Sequence, residues 1–150
     1  MANELQTVDV TKLVHYTEKI NEIGSSNFNK MLAPNYLRDF IMAMDMTSSM
    51  LSQATRTNLS AKAALDKAKA IAYLDKAQDY CVNNDIKLSN GVREMYVDLD
   101  EDVIRAKEVY AASEAMVTFL KNKYQAFRCA HDDVKKISFN DVQGTGFEGF

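Results

Sequence analysis

Residues 100–137 read "DEDVIRAKEVYAASEAMVTFLKNKYQAFRCAHDDVKKI", and the fold turns on how regularly apolar side chains return to one side of this stretch. Val103, Ala106, Tyr110, Ser113, Val117, Leu120, Tyr124, Phe127, His131 and Val134 alternate steps of three and four. That spacing keeps side chains on one face of an α-helix, and sustained over several turns it is a coiled-coil seam. Neither Gly nor Pro interrupts it. The pattern predicts a helix over about residues 99–138, with the Val103–Val134 stripe as a contact surface. The seam would meet a companion helix or sister copies.

The acidic run before it, Asp98, Asp100, Glu101 and Asp102, reads as the start of that helix. Unpaired backbone N–H groups and the macrodipole favour carboxylates at an N-terminus, and Asp98 or Asp100 can cap it. A calcium loop needs oxygen ligands at alternating positions, a turn glycine and a later Glu. Leu99 and Val103 break that alternation, so neither a metal site nor a catalytic carboxylate pair is expected here.

Working outward, Pro34 suits a first helical position, and no Gly or Pro follows until Gly91. A second seam runs through Leu37, Phe40, Met44, Thr47, Leu51, Ala54, Asn58, Ala61, Leu65, Ala68 and Ala72. Its large residues come early and its alanines late, where they permit close approach of another helix. Asn58 could fix register, and "QATRTNLS" (53–60) is the weakest helical segment because Thr, Asn and Ser compete for backbone hydrogen bonds. "NNDIKLSNG" (83–91) reads as a loop with Asn90 and Gly91 as its strongest turn signal, and the "VREMYVDLD" after it as a short extended piece or helical turn. Ahead of all this, a helix over about 9–23 is capped by Asp9 or Thr7 and ended by Gly24.

The expected architecture is all-α: a short N-terminal helix and loop (1–33), a long antiparallel helical hairpin with coiled-coil-like packing (34–138), and a mobile tail (139–150) with Phe147 and Phe150. Two helices bury one stripe each, so self-association is expected. The residues assigned to it are Val103, Tyr110, Val117, Leu120, Tyr124, Phe127 and Val134.

Composition narrows function without naming it. Of 150 residues, 47% are apolar and 26% charged, with five Gly, one Pro and no Trp. That is a soluble, helix-favouring chain long enough for one domain. The formal charge of −3 means nucleic-acid binding would need local basic patches. "MANELQTVDV" has no basic-then-apolar signal pattern, and no run approaches the ~20 apolar residues of a membrane span. Cys81 and Cys129 form no CxxC and read as buried thiols of a reducing compartment. No phosphate-loop, zinc-protease or serine-hydrolase motif occurs. Cys129, His131, Asp132 and Asp133 lack a second pair of ligands, and His15 has no visible partner. No enzyme, cofactor or metal is expected. The basic stretches remain: Arg56, Lys62, Lys67, Lys69 and Lys76 with Tyr73 and Tyr80 on the second helix, then Lys121, Lys123, Arg128, Lys135 and Lys136 on the last. They read either as solvated faces or as phosphate-contacting stripes.

"AKAALDKAKAIAYL" (61–74), a loop and then residues 100–137 together resemble the UvsY-type recombination mediators of tailed phages over about residues 55–138. The resemblance implies a small helical protein that assembles into rings, binds single-stranded DNA and helps load a recombinase. The family's Lys-x-Arg-Leu-Asp stretch would be "KAALD": Lys62, Leu65 and Asp66 match, and Ala64 stands where the family has Arg. DNA contact would then fall to Lys62, Lys67, Lys69, Tyr73 and Lys76, and the final helix would mediate assembly. The competing expectation is a helical virion or scaffolding protein whose partners are other virion proteins. The location is the host cytoplasm in the first case and the virion in the second.

Overall fold

A computed structural model describes residues 8–25 and 28–143. Thr7, Phe147 and Phe150 lie outside them. The described chain is all-α, with no strand, and its frame is a helical hairpin preceded by a short helix. α1 spans Val14–Ile23, α2 Ala33–Ile71, α3 Ala77–Asn83, α4 Asn90–Leu99 and α5 Glu101–Gln143. Among the described residues the chain falls into two compact units. Residues 54–117 form unit one; residues 8–53 with 118–143 form unit two. α2 and α5 each contribute to both.

Unit two is a three-helix core. Asp9 opens it by accepting from the backbone N–H and hydroxyl of Thr11 at 3.0 and 2.5 Å. This starts a 3-10 turn over Thr11–Leu13 that leads into α1. Asn29 likewise caps a turn over Lys30–Leu32, accepting from the Met31 N–H at 3.0 Å. α2 begins one residue before Pro34, which sits in the first turn, where its missing N–H is no loss. Leu13, Phe40, Ala43, Leu120, Phe127, Ala130 and Val134 are buried. The Phe127 ring stacks against Phe40, centroids 6.5 Å apart, and takes an edge contact from Tyr16 at 6.3 Å. Burial of each such ring is worth roughly 1.5–3 kcal/mol. Thr47 is buried in this core, its hydroxyl satisfied by the Ala43 carbonyl one turn back at 2.6 Å. At the margin Lys19 pairs with Asp39, and the Tyr36 hydroxyl donates to Glu22.

Unit one is built on small residues. Leu65, Ala72 and Val103 form its buried cluster, with Ala68, Tyr96, Val97, Ala106 and Tyr110 packed on it. "QATRTNLS" is uninterrupted α-helix: Ala54 and Ala61 are buried and Asn58 half-buried, and packing overrides weak propensity. The irregularity lies further on. Residues Ala72–Lys76 form a single π-helical turn, which inserts one extra residue into the helical phase. Ala72 and then Ala77 and Cys81 therefore face the core. An unbroken α-helix would instead have turned Asp75 or Lys76, and then Asp79, inward at a desolvation cost.

The stretch expected to be a loop ends earlier than its turn signal suggested. Asn90 and Gly91 open α4, because Ser89 takes an extended conformation and its hydroxyl accepts from the Val92 N–H at 3.3 Å. "VREMYVDLD" is thus mostly helix. The chain reverses instead around Asp85, whose φ is 51°, with the Ile86 N–H returning to the Cys81 carbonyl at 2.9 Å. α5 extends to Gln143, so the first residues of the expected tail are helical.

Candidate functional site

α5 begins where the acidic run placed it. Asp100 Oδ1 accepts from the backbone N–H groups of Asp102 (3.0 Å) and Val103 (3.1 Å), the geometry of an N-cap. Its Oδ2 accepts from Lys76 Nζ at 2.9 Å, and the same ammonium reaches Asp102 at 2.6 Å. This lysine lies in the π turn, so one side chain fastens that turn to the start of α5. Lys76 beside it holds the Asp100 carboxyl below the usual carboxylate range, with the two backbone N–H groups adding to the effect against burial. The two carboxylates hold Lys76 well above the usual lysine range. Arg93 works beside it. Its guanidinium donates to the carbonyls of Tyr73 and Leu74 in the π turn and lies 5.3 Å from the centroid of the Tyr73 ring. The Tyr73 hydroxyl donates to Asn90 at 3.3 Å.

The residues assigned to DNA thus divide. Lys62, Lys67 and Lys69 are exposed on α2 with no ion-pair partner among the described residues. Tyr73 is half-buried with a cation on its ring, and Lys76 is engaged by two carboxylates. At 3.6 residues per turn, Lys62 and Lys69 leave α2 on one flank, roughly 10 Å apart along the axis, whereas Arg56 and Lys67 leave it on the other. The second basic stretch is better aligned. Lys121, Arg128 and Lys135 are exposed at intervals of seven, one above another on α5, again unpaired among the described residues. Its other members are engaged: Lys123 donates to Thr17 at 3.1 Å, and Lys136 pairs with Asp133 at 3.6 Å. Dividing the basic residues by their phase relative to the seam would have separated these groups from sequence alone.

The residues assigned to self-association are packed within the chain. Val103, Leu120, Phe127 and Val134 are fully buried, Tyr110 and Val117 half-buried, and Tyr124 lies at the edge with 36% exposure. Those faces are covered by the chain's own helices in each unit, so a sister copy would meet other surfaces. Large apolar side chains do remain exposed elsewhere: Val82, Met95, Leu99 and Ile104 in unit one, Phe139 in unit two.

The cysteines are both free. Cys81 is buried, but Cys129, read as buried, is exposed, because it stands two residues past Phe127 and off the seam. His131 is half-buried with Nδ1 3.3 Å from Asp132, and His15 is exposed. Among the described residues no three His, Cys, Asp or Glu side chains group as metal ligands, and no helix is long and apolar enough to cross a membrane. Compared with known proteins, the chain matches no family model, no curated protein and no solved structure.

Proposed function

We propose that this chain is a non-enzymatic, self-associating helical protein that binds single-stranded nucleic acid through its phosphates, in the manner of the recombination mediators its sequence resembles. One observation carries the reading: cations that are exposed, unpaired among the described residues and seven apart on regular helix, Lys62 and Lys69 on α2 and Lys121, Arg128 and Lys135 on α5. Rigid, repeated cations suit a polyanion, and repetition over several copies raises the effective concentration of each weak contact. Tyr73 and Lys76 drop out of the contact set, because each already has an intramolecular partner.

The test is a salt titration of a labelled oligothymidine by fluorescence anisotropy. Binding should weaken linearly in log–log form. Lys121→Ala with Arg128→Ala should lower the slope by roughly 1.4, two single-strand phosphate contacts. Absence of binding at low salt, or an unchanged slope in that double variant, ends the reading.

A second reading, a helical assembly or virion component, is favoured by a different observation: the exposed Met95 and Leu99, which line one groove of unit one together with Tyr80 and Tyr96. Contiguous exposed apolar side chains are characteristic of protein contact surfaces. Recovery of the chain as a stoichiometric part of a particle, with no affinity for oligothymidine, would select this reading over the first.

A further inference from the structure

Within unit two, one flank of α5 interleaves cations with aromatic rings. Lys121, Arg128 and Lys135 each stand one place after a fully buried seam residue, Leu120, Phe127 and Val134. A step of one residue turns a side chain about 100° round the helix, so the packed seam fixes the three cations in a row beside it. Tyr124 falls between the first two, at steps of three and four, and Phe139 one turn after the third. Both rings are exposed, at 36% and 60%. Lys135 and Phe139 share a hollow of about 380 Å³ with Asp132, Lys136 and Asn140. The flank is basic in a chain whose formal charge is −3: across residues 121–139, five Lys and Arg stand against two Asp. Asp132 has His131 Nδ1 at 3.3 Å, and Asp133, further round the helix, is paired with Lys136.

We infer that this flank seats one segment of single strand, its phosphates on Lys121, Arg128 and Lys135 and its unpaired bases stacked on Tyr124 and Phe139. The inference rests on the phosphate-binding reading above and deepens it, because the rings add a requirement for open base faces. The row from Lys121 to Phe139 is straight and roughly 27 Å long at 1.5 Å per residue. Each strand of a duplex winds once round its axis in about 34 Å, so it leaves a straight row within half a turn, and its base faces are closed inside the stack. An extended single strand follows the row and turns its bases to the rings. Stacking of this kind accepts every base, so the flank distinguishes single strand from duplex and not one sequence from another. The hollow gives a base room beside Phe139 while Lys135, on the same hollow, meets the phosphate. Lys62 and Lys69 on α2 have no aromatic residue between them, which places base contact on α5.

Fluorescence anisotropy of the full chain tests it with three labelled probes of equal length: oligothymidine, an abasic strand that keeps the phosphates, and a duplex. Wild type binds oligothymidine about tenfold tighter than the abasic strand, and tighter than the duplex. Phe139→Ala, at an exposed position where folding is little at risk, weakens oligothymidine binding about tenfold. It leaves the salt slope and the affinity for the abasic strand unchanged, because no phosphate contact is lost. Tyr124→Leu behaves in the same way and Tyr124→Phe binds as wild type, with circular dichroism confirming unchanged helicity. Three results would each overturn the proposal: equal affinity for oligothymidine and the abasic strand, a duplex bound as tightly as the single strand, or wild-type affinity in both Phe139→Ala and Tyr124→Leu. In those cases a salt slope that still falls in the Lys121→Ala/Arg128→Ala variant leaves the phosphate reading standing. No binding of any probe at low salt removes both.

Discussion

Replacing Asp100 should loosen the start of α5 in a way that separates its two tasks. The residue is 7% exposed, caps two backbone N–H groups through one oxygen and meets Lys76 through the other. Losing the cap costs about 1 kcal/mol, within a range of 0.5–2. Losing the ion pair costs about 0–1 kcal/mol, since Lys76 is partly solvated and keeps Asp102. Asp100→Ala therefore costs about 1–2 kcal/mol at neutral pH, within a range of about 0.5–3. Asp100→Asn retains a side-chain oxygen for the cap and costs about 0.5–1 kcal/mol. Urea unfolding followed at the helical dichroism band measures both as shifts in midpoint at constant slope. The pH dependence has a definite sign. A carboxyl held below its ordinary range in the folded state contributes stability that is present above about pH 4 and lost as pH falls through the lowered folded value. The gap between wild type and Asp100→Asn should be flat from about pH 5 to 8 and close below about pH 4. The raised Lys76 works oppositely: its contribution is full below about pH 10 and fades only as pH climbs past its elevated value. If Asn proves as costly as Ala, the cap is not what Asp100 supplies. If neither change registers, the fastening of the π turn to α5 contributes nothing to stability.

Phe127→Ala removes a fully buried ring that touches Phe40 and Tyr16 and should cost about 3–5 kcal/mol. Phe119→Ala, at 39% exposure on the same helix, should cost under about 1 kcal/mol; equal losses in urea melts would mean the seam is misassigned. Gly91→Ala should stabilise by about 0.5–1 kcal/mol, because the position is helical and an added Cβ meets nothing within 4 Å; a lower melting midpoint would refute this. Cys129 should react with a thiol reagent in the native protein while Cys81 reacts only on unfolding, and simultaneous labelling under native conditions would contradict the burial of α3.

Periodicity carried most of the architecture. The seam residues of α2 and α5 are buried or half-buried with few exceptions, because a 3/4 alternation kept over many turns leaves little freedom in which face packs. A cap at Asp98 or Asp100 was legible for a similarly local reason, and the structure selects Asp100. The π turn was not foreseen, although the step of five from Ala72 to Ala77 is its trace; a single phase shift is easily mistaken for the end of a seam. Asn90 and Gly91 misled because turn chemistry and helix N-termini draw on overlapping residues, and Ser89 decided between them. The candidate site was legible only in part. Sequence located the cations but not their partners, and whether Lys76 or Lys121 is free depends on residues 24 positions away or on another helix.

The way the chain is divided orders its assembly in time. Unit one is closed by a contiguous stretch, 54–117, whereas unit two joins residues before it to residues after it. Phe40 finds Phe127 only across a long loop, a slower closure than that joining Lys76 to Asp100. On a ribosome the middle of this protein can settle first. The aromatic core must wait for the last helix to emerge, leaving Phe40 and Tyr16 open to wrong company until it does.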